Sequence, residues 1–124
     1  MQHSNVNNIK RAQKESVLFR EISSLFLRAS FDDKRLSGLV VNRVKLSKDK
    51  SVCYVYFYTK EGEEHFKHNL LDLLKCYKPS VRKAIADEIA GRYVPNFLFK
   101  YDVQHEKQDK INNLIDKLKR EGKL

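Results

Sequence analysis

A short segment in the middle of the chain, residues 51–59, alternates between two kinds of side chain. Cys53, Val55 and Phe57 occupy the odd positions, and tyrosines occupy the even positions between and after them. Successive side chains of a β-strand point to opposite faces, so this alternation predicts a strand with an apolar face and a tyrosine face. The chain must therefore contain a sheet that buries one face, and the tyrosine face is expected to be solvated.

Apolar periodicity places a helix before this strand and a hairpin partner beside it. From Asn8 to Ala29 the apolar residues recur at steps of three and four, which is typical of an amphipathic helix. Residues 31–38 have no apolar period and are predicted to form a loop. Residues 40–46 have the character of a strand, and a polar turn at residues 47–50 joins it to the tyrosine strand. A helix, a loop and a β-hairpin are therefore expected in that order.

The second half of the chain combines helices with one more strand. A helix is predicted from Glu61 to Tyr77, and Pro79 is expected to break it because proline disfavours helical geometry at the residue before it. A second helix resumes at Ser80, and Gly91 is placed to end it. The remaining elements are a third strand at Phe97, Phe99 and Tyr101 and a last helix with apolar Ile111, Leu114, Ile115 and Leu118.

The order of these elements indicates a fold class. Helix, strand, strand, helix, kink, helix, strand and helix together predict an α+β fold, with a three-stranded sheet and helices on one face. The chain has 124 residues, which is enough for one domain but too few for two domains with separate cores. We therefore assign residues 1–118 to one domain and residues 119–124 to a charged C-terminal tail.

Charge is the strongest signal of function in the composition. There are 25 Lys and Arg against 16 Asp and Glu, and the resulting net charge of +9 makes a polyanion the first partner to consider. No apolar run approaches the roughly 20 residues of a membrane-spanning helix, and residues 1–14 are too polar for a secretory signal. We therefore expect a cytoplasmic, monomeric protein without a membrane partner, in which Cys53 and Cys76 are reduced.

Several short motifs together resemble one known family. The segments Asp32–Gly38 and Val44–Asp49 are similar to motifs of the ribosome-binding factor A family. Arg92–Phe99 resembles the Arg-x-x-Pro-x-Leu-x-Phe strand of that family, and Asp102 resembles its closing aspartate. The resemblance covers nearly the whole chain, and its motifs occur in the element order that the periodicity predicts.

The resemblance implies a single type II K-homology (KH) domain that binds RNA. In that family the domain binds the small (30S) ribosomal subunit and 16S rRNA during late maturation and 16S rRNA processing. The resemblance implies a protein that acts by binding. The chain also has no Gly-rich phosphate loop and no CxxC or HExxH motif, so we expect no enzymatic activity, no catalytic residue, no metal and no cofactor. The resemblance also implies that an assembly GTPase is a possible partner.

One position departs from the family pattern. The family has a helix-kink-helix centred on Ala-x-Gly, where ordinary K-homology domains have a Gly-x-x-Gly loop that grips single-stranded RNA. Here the corresponding residues are Tyr77, Lys78 and Pro79, so the small residues are absent. A kink enforced by proline could still preserve the crossing of the two helices.

Basic residues cluster at two places that could contact RNA phosphates. The leading candidate, the kink cluster, surrounds the predicted kink and comprises Lys75, Lys78, Arg82, Lys83 and Arg92. The second candidate, the hairpin cluster, surrounds the hairpin and comprises Arg43, Lys45, Lys48 and Lys50. Any one of these residues is also typical of an ordinary solvated surface.

Other candidate sites have weaker support. Tyr54, Tyr56 and Tyr58 could stack on unpaired bases, but cross-strand packing explains such a row without a ligand and is the favoured interpretation. His65 and His68 lie one helical turn apart without a CxxC or HExxH motif, which disfavours a metal site. The alternatives to an assembly factor are a generic KH-type RNA-binding regulator and, less favoured, an RNA-processing enzyme.

Overall fold

The computed structural model describes residues 2–89 and 93–123, and its elements follow the predicted order. The α+β class is confirmed. The last residues assigned to the predicted second helix, including Gly91 as its end, lie outside the described residues. The helices are α1 (Gln2–Asp32), α2 (Gly62–His65), α3 (Leu71–Cys76), α4 (Lys78–Ile89) and α5 (Val103–Arg120), and the strands are β1 (Val40–Leu46), β2 (Val52–Tyr58) and β3 (Asn96–Tyr101).

The sheet has the order β1-β2-β3, with the tyrosine strand β2 in the centre. β1 pairs with β2 in antiparallel register, with Val44 opposite Val55, as expected for a hairpin. β3 lies parallel to β2, and Phe99 is the register partner of Val55. Parallel neighbours need a crossover connection. The helices α2 to α4 provide it.

The apolar face of β2 forms the centre of the core. Cys53, Val55 and Phe57 are fully buried, which confirms the face predicted from the alternation. The Phe57 ring makes edge contacts with Phe26 of α1 and Phe99 of β3, at centroid distances of 5.2 and 5.5 Å. Burial raises the pKa of Cys53 to about 12, and the nearby negative charge of Glu15 adds to this effect, so the thiol stays protonated.

Helix α1 is longer than the periodicity predicted, with 31 residues. Residues 2–7 and 30–32 were not included in the apolar period, which is why the pattern indicated only the middle of the helix. Lys34–Leu36, inside the predicted loop, form a 3₁₀ turn, and the Asp33 side chain accepts a hydrogen bond from the Arg35 N–H at 3.0 Å. Glu15 accepts a hydrogen bond from the Leu46 N–H at 2.7 Å, which satisfies a donor on the open edge of β1.

The connection between α2 and α3 is a π-helical segment, Phe66–Leu70, in which the Leu71 N–H donates to the Phe66 carbonyl. Phe66 and Leu70 are both buried there, so this segment joins the two short helices without leaving the core. No helix among residues 2–89 and 93–123 is both long and apolar enough to cross a membrane.

Helix α5 contacts the rest of the domain near its beginning. The Tyr58 hydroxyl donates to Asp109 at 3.0 Å, and the Tyr58 ring lies 4.6 Å from the His105 ring. Farther along, Ile111 and Leu114 are more than half exposed. The helix ends at Arg120, two residues into the segment predicted as a tail.

Candidate nucleic-acid interface

A single residue, Tyr77, separates α3 from α4. Its N–H donates to the Leu74 carbonyl, and its own carbonyl accepts from the Val81 N–H, both at 2.9 Å. Its ring packs 5.8 Å from Phe26, and its hydroxyl donates to Asp33 at 3.4 Å. Burial and the negative charge of Asp33 raise the pKa of Tyr77, so the hydroxyl remains a donor. The kink is therefore fixed to α1 by the Tyr77 side chain.

Pro79 lies in the first turn of α4. Proline is tolerated at this position because the first N–H groups of a helix have no intrahelical acceptor. The predicted break between the two helices is confirmed, but it lies at Tyr77, and α4 begins at Lys78 and not at Ser80 as predicted. The helix-kink-helix is present without its small residues.

The described basic residues of the kink cluster surround this junction, but their surroundings differ. The Lys78 ammonium lies 5.6 Å from the centroid of the Phe99 ring, and Arg82 donates to the Pro95 carbonyl at 3.1 Å. These two residues therefore lean towards β3. Lys75 lies 3.9 Å from Asp72 with 55% of its side chain exposed, and Lys83 is exposed. Arg92, the fifth predicted member, lies outside the described residues.

A further cation, Arg35, lies beside the kink and was not among our candidates. Its guanidinium bonds to both carboxylate oxygens of Asp33, at 2.9 and 2.8 Å, and 71% of its side chain is exposed. Hydrogen bonds from Arg35 are the main reason that the pKa of Asp33 is lowered, although burial opposes them. Only the docking of this turn against Tyr77 reveals its position, because nothing in the sequence pattern links residues 33–35 to residue 77.

Arg43, which we predicted as a member of the hairpin cluster, is held by a buried carboxylate. Its Nε and Nη2 lie 2.8 and 3.3 Å from the two carboxylate oxygens of Asp102, which is 1% exposed. Asn42 donates to the same carboxylate at 2.8 Å, because an irregularity in the β1–β2 register lets these consecutive residues reach one acceptor. Burial favours a higher pKa for Asp102, but the hydrogen bonds from Arg43, Asn42 and the His105 N–H outweigh it and lower the pKa.

The other hairpin cations surround a rigid turn. Asp49 accepts hydrogen bonds from the hydroxyl and N–H of Ser51 and from the hydroxyl of Ser47, and these lower its pKa to about 2. Lys45 and Lys48 are exposed. Lys50 has a φ of 61°, a left-handed conformation that lets the chain enter β2.

Helix α1 adds basic residues beside the hairpin that we did not predict as part of this patch. Arg11 lines one groove with Lys45 and Lys48, and Lys10 lines a second groove of about 470 Å³ with Lys50 and Glu88. The helical period of α1 was evident in the sequence. Which of its residues meet the hairpin depends on how the helix crosses the sheet, and that is a tertiary feature.

Each of the three tyrosines has a partner on the outer face of the sheet. The Arg43 guanidinium lies 4.1 Å from the centroid of the Tyr56 ring, and the Lys100 ammonium lies 4.9 Å from that of the Tyr54 ring. Tyr58 contacts α5, as described above. The rings are only partly exposed, and the contacts within the domain account for the orientation of all three.

Comparison with known proteins identifies the family of this chain. A family model described as ribosome-binding factor A matches residues 10–115. The chain belongs to the ribosome-binding factor A family. A member from Dehalococcoides mccartyi is 34% identical over 110 residues, which cover 88% of this chain and 92% of the relative. A member from Dictyoglomus thermophilum is 33% identical over 110 residues, with 88% and 91% covered.

Solved structures agree with this family assignment. The crystal structure of ribosome-binding factor A from Thermus thermophilus superposes with a TM-score of 0.61 at 30% identity, covering 73% of this chain and 93% of that one. A homology model of the Thermus thermophilus protein, fitted into a cryo-EM map of its 30S complex, gives a TM-score of 0.54 at 30% identity, covering 68% and 87%. The predicted family and its K-homology-like fold are confirmed.

Within this ribosome-binding factor A fold, the histidines that we considered as metal ligands have other neighbours. His65 lies 3.0 Å from Glu61 and 2.9 Å from Asn69, and His68 lies 3.1 Å from Glu64. Across residues 2–89 and 93–123, no group of three or more His, Cys, Asp or Glu side chains is arranged to hold a metal ion.

Proposed function

We propose that this chain is a cytoplasmic ribosome assembly factor that binds the 30S subunit and 16S rRNA during late maturation and 16S rRNA processing. It acts by binding, without catalysis, and as a monomer. The proposal is supported by membership of the ribosome-binding factor A family and by the similarity to a relative that was fitted into a map of a 30S complex.

The observation that carries this proposal is the basic helix-kink-helix. Lys75, Lys78, Arg82 and Lys83 lie on the two helices that meet at Tyr77, and Lys75 and Lys83 are exposed. Several cations around one helix junction suit the closely spaced phosphates of an RNA backbone. Phosphate contacts would position the domain on rRNA, and they require no catalytic group.

Sedimentation of cell lysates through a density gradient tests this function. The protein should co-sediment with free 30S subunits and not with translating ribosomes. Cells depleted of the protein should accumulate 16S rRNA with an unprocessed 5′ end, which primer extension measures. A distribution that follows messenger RNA on polysomes would instead support the KH-type regulator.

A charge-reversal variant tests the kink cluster directly. Lys75→Glu with Lys83→Glu should abolish co-sedimentation with 30S subunits, because both side chains are exposed and their reversal leaves the core contacts intact. Arg82 is left unchanged because it bonds to Pro95. Lys117→Glu with Lys119→Glu, two exposed lysines of α5, is the matched control and should still bind. Equal binding by the kink variant and the wild type would refute the kink as the interface.

The family resemblance also suggests a GTPase partner that acts on the bound factor. Such a GTPase should release the protein from purified 30S subunits when GTP is added and should not release it with GDP. Retention of the protein under both conditions would remove this part of the proposal.

A further inference from the structure

We propose that a groove between α1 and the β1–β2 hairpin is a second RNA site, which holds one unpaired nucleotide. This inference rests on the proposed function and names the kind of RNA that the domain would select. The groove has a volume of about 420 Å³. That lies within the range of about 300–1,000 Å³ that is usual for pockets that bind small molecules. Its lining residues are Arg11, Lys45, Leu46, Ser47, Lys48, Tyr54 and Tyr56.

The chemistry of this lining suits a nucleotide better than a phosphate alone. Arg11 of α1 and Lys45 and Lys48 of the hairpin supply three cations, which can bind the two phosphates that flank one nucleotide. Tyr54 and Tyr56 supply aromatic surface on which a base can stack. A base inside a duplex has no free face, so only an unpaired nucleotide can use both halves of the groove.

The two tyrosine rings are held in position before any ligand binds. Tyr56 lies under the Arg43 guanidinium, which is itself bonded to buried Asp102. Tyr54 lies under the Lys100 ammonium, from the strand on its other side. Rings that are already oriented lose little conformational freedom on binding, so the stacking free energy is largely retained as affinity.

Mixed cationic and aromatic character also separates this groove from the kink cluster. The kink presents cations, and the aromatic rings near it pack inwards, as Tyr77 does against Phe26. We infer that the kink contributes phosphate contacts to any RNA strand, and that the groove adds a preference for single-stranded over double-stranded RNA.

Fluorescence anisotropy with two labelled RNAs tests the inference. The probes are a single-stranded oligouridine of eight nucleotides and a blunt duplex of twelve base pairs. Tyr54→Leu should weaken oligouridine binding by about 5- to 150-fold, as expected for the loss of one stacked base, and should leave duplex binding unchanged. Tyr54→Phe should restore oligouridine binding because it keeps the ring.

Phe31→Leu is the matched control for the loss of an aromatic ring. Phe31 is 79% exposed and lies 20 residues along α1 from Arg11, a distance of about 30 Å. This variant should bind both probes like the wild type. Lys45→Gln with Lys48→Gln provides an independent test that removes no ring. It should reduce the magnitude of the oligouridine salt slope by about 1.4 if the two lysines neutralise the two phosphates that flank the bound nucleotide.

The outcomes separate this inference from the proposed function. If the wild type binds 30S subunits but Tyr54→Leu and the double lysine variant bind oligouridine as the wild type does, the groove is not an RNA site and the proposed function stands. If the wild type does not bind 30S subunits, the proposed function fails whatever the probes show. Should Tyr54→Leu fail to fold, the lysine variant alone decides.

Discussion

Asp102 joins three elements, two of them through its buried carboxylate and the third through its backbone N–H, and its replacement should be costly. It accepts from Asn42 and Arg43 of β1, caps α5 through the His105 N–H, and its own N–H donates to Phe57 of β2. Asp102→Asn keeps the size and the ability to cap a helix but removes the charge. The asparagine amide has one acceptor oxygen where the carboxylate has two, so the variant loses the ion pair with Arg43 and the hydrogen bonds that one of the two oxygens accepts.

The size of the effect follows from the burial of the two partners. Removing one member of a buried ion pair costs about 3–5 kcal/mol. The Arg43 side chain is 39% exposed, so water compensates part of the loss of Asp102. We therefore expect Asp102→Asn to lower the free energy of unfolding by about 2–3 kcal/mol at pH 7. Asp116→Asn, at an exposed position of α5, should change it by less than about 0.5 kcal/mol.

The pH dependence of stability tests whether the charge of Asp102 causes this loss. The pKa of Asp102 is lowered in the folded state, so its ionised form stabilises the fold above the ordinary pKa of an aspartate. This stabilisation is lost as the pH falls through the lowered pKa. The difference in free energy of unfolding between wild type and Asp102→Asn should therefore be the same at pH 7 and pH 5 and should become smaller below about pH 4.

Urea denaturation followed by far-ultraviolet circular dichroism at pH 7, 5, 3 and 2 measures this difference. The chain contains no tryptophan, so backbone dichroism is a better signal than fluorescence. Equal midpoints at pH 7 would refute the role of the ion pair. A difference that stays constant down to pH 2 would show that packing, and not the charge of Asp102, accounts for the loss.

Three further predictions concern the core, the solution state and the RNA contact. Phe99→Ala should lower the free energy of unfolding by about 3–5 kcal/mol, because Phe99 packs against Phe26 and Phe57 in the core. Tyr56→Ala, on the other face of the sheet, should lower it by only about 1–2 kcal/mol, and equal shifts of the urea midpoint would contradict the assignment of the two faces. The protein should sediment as a monomer at micromolar concentration and moderate salt, because copies with a net charge of +9 repel one another. A stable dimer would contradict this and would point to the exposed apolar residues of α5 around Leu114 as the interface. If the kink neutralises about four phosphates, a plot of the logarithm of rRNA affinity against the logarithm of salt concentration should have a slope of about −3 to −4. A slope near zero would show that phosphate contacts are not the source of the affinity.

Local patterns predicted the elements of this fold well. The alternation in β2 identified the buried face of the sheet. The apolar period identified α1, and Pro79 indicated the kink between α3 and α4. These features depend on residues close together in the chain, so the sequence shows them directly. The sequence pattern did not distinguish the π-helical segment at residues 66–70 from the α-helices beside it, or the 3₁₀ turn at residues 34–36 from a loop.

Positions of charged groups were harder to predict than elements. Arg43 was predicted only as a candidate phosphate contact, and its bond to Asp102 joins residues 59 positions apart. Arg35 and Arg11 were absent from our candidate sites for a similar reason. Arg35 lies beside the kink because its turn docks against Tyr77, and Arg11 lies beside the hairpin because α1 packs against the sheet. The family resemblance indicated that Asp102 closes the third strand, but it did not indicate which groups the carboxylate binds.

The substitution at the kink changes what this junction can offer to RNA. Pro79 has no N–H, and the Tyr77 N–H and carbonyl are both bonded within the helices. The Tyr77 side chain occupies the space between the kink and α1, so the helix crossing is maintained by packing and not by a small residue. Two of the three residues at the kink therefore have no backbone N–H available for a phosphate. We infer that RNA contact at this junction depends on side-chain cations such as Lys75 and Lys83, and this is why their charge reversal is the decisive test in this chain.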